Sequence, residues 1–119
     1  MKLYIAKVVF RIICGKGSHT PQFDEQLRMI HAVDEVHAYE KALQIAEREQ
    51  EEFLNQYGQM VHWKFIGIPE LYNLDELKDG VEICSRVHET NASDNYIDLI
   101  HHKARSIRMR VVNETAEPA

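Results

Sequence analysis

Residues 3–14 read LYIAKVVFRIIC. The even positions, Tyr4, Ala6, Val8, Phe10, Ile12 and Cys14, are all apolar, whereas the odd positions mix Leu3, Ile5, Val9 and Ile13 with Lys7 and Arg11. A period of two with one wholly apolar face predicts a β-strand lying on a core. A lysine ahead of an apolar run also suggests a secretory leader, but Lys7 and Arg11 interrupt the run and no small-residue cleavage site follows.

Working outward, CGKGSHTPQF (14–23) sets two glycines around Lys16. A phosphate-binding loop needs a leading glycine four residues earlier and a helix behind it, so that amide N–H groups and the helix dipole converge on the anion. Here the chain runs instead to Pro21 and a second alternating segment, FDEQLRMIHA (23–32), so the glycines predict a hairpin turn. Alternation in that segment groups Phe23, Leu27 and Met29, with Glu25 and His31 in the same parity, and the pattern assigns this set to the core. Asp24, Gln26 and Arg28 fall on the other side.

VDEVHAYEKALQIAEREQEEFLNQYG (33–58) carries the strongest helical pattern, capped by Asp34 and ended by Gly58. Val36, Tyr39, Ala42, Leu43, Ala46, Phe53 and Leu54 form its expected inner side, and a run of glutamates its solvated side. MVHWKFIGIPELYNL (60–74) returns to alternation, with Val61, Trp63 and Phe65 on one face. Pro69 lacks an amide donor, which predicts an edge or a bulge there. VEICSRVHE (81–89) reads as a fourth strand, and a C-terminal helix from a Ser93 cap to about residue 112 follows, with residues 113–119 as a frayed tail. Its Ile97, Ile100, Ala104, Ile107 and Val111 form a narrow seam, and Lys103, Arg105, Arg108 and Arg110 direct it toward the acidic first helix, best of all that of another chain. The expectation is one α+β domain over residues 1–112. It has an antiparallel sheet of about four strands in the order β-β-α-β-β, a long helix on one face and the extra C-terminal helix.

The segments FDEQLRMIHAVDEVHAYEKA and HWKFIGIPELYNLDELKDGVEICSR, with their spacing, resemble the bacterial domain-of-unknown-function family 4288 over roughly residues 2–89. Trp63-Lys64-Phe65, then Glu70-Leu71-Tyr72 and Asp79-Gly80, carry the likeness. The resemblance implies no activity and transfers no catalytic residue.

The formal charge of −5 and pI near 5.8 supply no general attraction to nucleic acid or anionic membrane, no nucleic-acid signature is visible, and no apolar run is long enough to span a bilayer. A cytoplasmic protein with two free, buried thiols, Cys14 and Cys84, is the expectation. Seven histidines occur without a His-x-His or His-Glu-x-x-His spacing, so no metal or cofactor is expected. The outward strand positions gather Lys7, Arg11, Arg28, Lys64 and Arg86 against Asp24 and Glu82. Interleaved with Ile5, Val9, Ile30, Ile66 and Ile68, they predict a basic, partly apolar sheet face that something covers. The leading functional expectation is therefore a non-enzymatic, self-associating interaction module, for which an acidic protein or small anionic ligand is the other partner class. Two further readings are a small enzyme with a pocket around Glu25, His31 and Trp63, and an antitoxin-like inhibitor acting through the acidic helix.

Overall fold

In the computed structural model, which describes residues 1–116 with side chains through Glu114, the alternating N-terminal segment forms strand β1, Lys2–Cys14. It pairs antiparallel with β2, Gln22–Ala32, in unbroken register from Lys2 opposite Ala32 to Ile12 opposite Gln22. The connecting loop is a turn, with Gly15 and Gly17 at φ +57° and +78°, where a side chain is disfavoured. His19 locks it. Its Nε2 accepts from the Cys14 N–H at 3.0 Å, so the proton sits on Nδ1, which donates to the Thr20 carbonyl at 2.8 Å.

Helix α1, Glu35–Arg48, begins as its sequence dictates. Asp34 is extended and accepts from the His37 N–H at 2.8 Å, while the His37 ring accepts from the Val33 N–H at 3.1 Å, a variant of the capping box. The buried stripe is Ala38, Ala42 and Ala46, each fully inaccessible, so the helix lies close on the sheet. The expected inner residues Val36 and Tyr39 are exposed instead, because a stripe of methyl groups brings the helix nearer than bulky side chains allow.

The expected helix to Gly58 is corrected here, because α1 stops at Arg48. Residues Glu51–Leu54 form a short strand, β3, antiparallel to the first residues of β4, Met60–Leu74. The turn between them explains the break. Asn55 Oδ1 accepts from the N–H groups of Tyr57 and Gln59, and Gly58 takes φ +75°. Asn55 and Gly58 therefore close a hairpin, and the Asn side chain mimics a backbone turn. Gln50 continues the edge by accepting from the Phe65 N–H at 3.1 Å.

The sheet order is β2-β1-β4-β3, with every neighbouring pair antiparallel, so the fold is α+β with strands and first helix in the sequence β-β-α-β-β. The fourth expected strand does not form. Residues 81–89 have no regular structure, and β3 takes the place beside β4 through a loop short enough to close at little entropic cost. Opposite Lys7–Phe10 the β1–β4 register shifts around Gly67, with Pro69 beside the irregularity as expected.

One compact unit spans Met1–Ser85. Its core lies between α1 and the sheet, where Tyr4, Ala6, Val8, Phe10, Ile30 and Ala32 meet the alanine stripe. Trp63 and Phe65 pack on Phe10 with ring centroids 6.1 and 6.0 Å away, which bears out the aromatic strand face. A second unit comprises Arg86 onward and holds α2, Ser93–Ala116, which extends beyond the expected end at residue 112. The remainder of the expected tail, 117–119, lies outside the described residues. Ser93 is the first helical residue and not the cap, since the Ala92 carbonyl accepts the opening bond from Tyr96. The His88 and Tyr96 rings stack at 5.1 Å.

Candidate functional site

Cross-strand partners share a face, so the register fixes what each side of the sheet presents. Tyr4, Ala6, Val8 and Phe10 stand opposite Ile30, Arg28, Gln26 and Asp24 on the α1 side. Phe23, Glu25, Leu27, Met29 and His31 therefore lie on the far side with Leu3, Ile5, Lys7, Val9 and Arg11. This reverses the face assigned to β2 from its sequence. Its cause is the direct link from Ala32 to the α1 cap: Ile30 and Ala32, next to the helix, must pack beneath it, and they set the phase for the whole strand.

The far face is strongly apolar. Phe23, Leu27 and Met29 are 56, 67 and 65 % exposed, and Ile66 is exposed on β4, across β1 from them. Lys7 is held between two carboxylates, Glu25 Oε1 at 3.0 Å and Glu70 Oε2 at 3.4 Å. The hydrogen bond with Glu25 raises the lysine pKa above 10.5; partial desolvation opposes this shift and Glu70 reinforces it. Glu70 in turn accepts from the Tyr72 hydroxyl at 2.7 Å. Glu25, the sequence's out-of-place acid, is thus an ion-pair partner on an open face.

Arg11 and Lys64 stand directly opposite each other, with no carboxylate within ion-pair distance among the described residues. The Arg11 guanidinium lies 5.8 Å from the centroid of Phe23, its other cross-strand neighbour, and its buried Nε has no hydrogen-bond acceptor. This spot is electropositive, since like charges facing across a ladder repel.

The structure brings together five of the seven residues singled out from the sequence. Lys7, Arg11, Lys64, Glu25 and His31 share the far face. Arg28 does not; it lies on the α1 side, where it pairs with Glu49 and donates twice to Gln26 Oε1. Arg86 belongs to the second unit, and Glu82 and Asp24 also leave the face, Glu82 because its segment is not a strand. Nor do Ile30 and Ile68 remain outward, because both pack into the core. The expected enzyme pocket is not assembled: Trp63 is on the α1 side, whereas Glu25 and His31 are on the other. Of the two free cysteines, Cys14 is half-buried and Cys84 is exposed, not buried as expected. Among the described residues no helix is long and apolar enough to cross a membrane.

The family model for a domain of unknown function, DUF4288, matches residues 3–85, and the chain belongs to that family. The match ends where the first compact unit ends, so the far face lies wholly within the family's portion. No curated protein and no solved structure matches the chain.

Proposed function

We propose that this protein is a self-associating interaction module whose far sheet face receives the same face of a second copy. The observation that carries the reading is the row Phe23, Leu27 and Met29, each more than half exposed on one strand. An apolar patch of that kind on a folded domain marks an interaction surface. The face's charges are nearly balanced, with Lys7, Arg11 and Lys64 set against Glu25, Glu70 and Glu52. Balance favours a like surface over a strongly acidic ligand, because two copies of it need not repel. With strands rising about 3.4 Å per residue and spaced about 4.8 Å apart, the three long strands give a plan area on the order of 550 Å². Standing side chains raise this toward the roughly 800 Å² per partner of a stable interface.

The test is the mass of the full chain by light scattering, before and after Leu27→Glu. The expected result is a dimer that the variant reduces to monomer, with far-ultraviolet circular dichroism and Trp63 emission unchanged because neither reports on that face. A wild-type chain that stays monomeric at high concentration, or a variant that keeps the dimer mass, overturns the reading.

A further inference from the structure

A concavity lies on the α1 side of the sheet. Where α1 stops at Arg48, the aromatic end of the core is left partly roofless, and a cleft of about 420 Å³ opens over Phe10 and Trp63. Its walls are Phe53 and Gln26, and its rim holds Glu49 and Glu51. The register explains the assembly: Glu51 stands opposite Trp63 and Phe53 opposite Val61, so both β3 side chains project to the α1 side, while Glu52 projects to the far face and approaches His62 at 3.7 Å.

Apart from the Arg28–Glu49 pair, the polar features of this cleft favour a cation. Glu49 is already neutralised by Arg28, whose guanidinium is also bound by Gln26. Glu51 is exposed and its carboxylate makes no ion pair among the described residues. The C-terminal end of α1, the negative end of its dipole, lies at the rim through the capping residue Glu49. Arg48, the one basic group of that last turn, is folded back, with its Nε donating to the Gln44 carbonyl at 3.3 Å. Aromatic walls add attraction of their own, since a cation over an indole or phenyl face is drawn by the ring quadrupole.

We infer that the cleft over Phe10 and Trp63 receives an arginine side chain presented by a protein partner, with the guanidinium stacked on Trp63 and forked onto Glu51. A guanidinium fits better than an ammonium, because it is planar, weakly hydrated and bidentate toward a carboxylate. A peptide source fits better than free arginine, because the amino acid would bring a carboxylate and an ammonium, both strongly hydrated, to an aromatic cleft in which Glu49 is already paired and Glu51 is left to the guanidinium. This site is independent of the far face and of self-association.

The sequence contains one tryptophan, so Trp63 emission reports the cleft directly. Titration of the full chain with N-acetyl-argininamide should change that emission saturably, with a dissociation constant on the order of tens of millimolar, as befits one cation–π contact and one exposed ion pair. Glu51→Gln should weaken binding about fivefold, whereas Glu52→Gln, which changes the other face of the same strand, should not. Phe53→Ala supplies a second variant, and calorimetry a readout independent of fluorescence. N-acetyl-lysinamide and free arginine should both bind more weakly than the blocked arginine. An unsaturable response, equal affinity in the Glu51→Gln protein, or tighter binding of free arginine than of its blocked form overturns the inference, the last by making the ligand a small molecule.

Discussion

Phe10 is the residue on which the aromatic end of the core depends. It is 1 % exposed and touches both Trp63 and Phe65. Phe10→Ala should lower unfolding free energy by about 3–5 kcal/mol in denaturant titrations, and Trp63→Ala by about 3 kcal/mol, at the lower end because one side of the indole faces a cleft. Negligible losses would place the core elsewhere. These residues were legible because the even positions of β1 are apolar without exception, whereas β2 offered Phe23, Leu27 and Met29 as a more apolar set than Asp24, Gln26 and Arg28 and so pointed the wrong way. Hydrophobicity cannot orient a strand whose both faces are in demand. Lys7 gives a sharper test. Its pKa is raised in the folded protein, so its contribution is complete below the ordinary 10.5 and is lost as pH rises through the folded value. The stability difference between wild type and Lys7→Met should therefore hold below the ordinary 10.5 and shrink as pH rises above it, as measured by urea unfolding at each pH. A constant difference would mean that Glu25 and Glu70 do not hold the ammonium.

At the scale of elements, the small-residue stripe of α1 determines how closely helix and sheet approach. Ala42→Leu forces bulk into a fully closed contact and should cost about 1–3 kcal/mol, read as a shifted denaturation midpoint. The start of this helix was written in its sequence, because Asp34 is a strong cap and its removal acts locally; Asp34→Ala should cost about 1 kcal/mol in the same assay. Its end was not. Residues 49–54 carry glutamates and apolar residues at spacings that suit a helix, and only Asn55, which makes an Asx turn, and Gly58 speak for the hairpin that captures them. The β1–β2 loop is the opposite case, in which glycine, glycine and proline were enough to give the turn. Lys16→Ala there should change stability by less than about 0.5 kcal/mol, whereas His19→Ala, which strips the Cys14 N–H of its acceptor, should cost about 1 kcal/mol.

For the whole molecule, the decisive feature is that the family match and the first compact unit end together at Ser85, with α2 beyond them. The seam of Ile97, Ile100, Ala104, Ile107 and Val111 keeps the 3.5-residue spacing of a coiled coil, but Lys103 and Arg110 flank it on one side and Arg108 on the other. Two such helices side by side would set like charges together, so α2 is a poor candidate for pairing with its own copy. Self-association through the far sheet face makes a different demand, since all of its residues lie in the first unit. A chain ending at Thr90 should then keep the oligomeric state of the full protein by light scattering, and should keep its Trp63 emission and one cooperative unfolding transition. Raised salt should affect both forms little, because apolar contacts are not screened as exposed ion pairs are. A shortened chain that falls to monomer while retaining that emission and transition would transfer the association to α2, and a marked weakening by salt would transfer it to the basic residues along that helix.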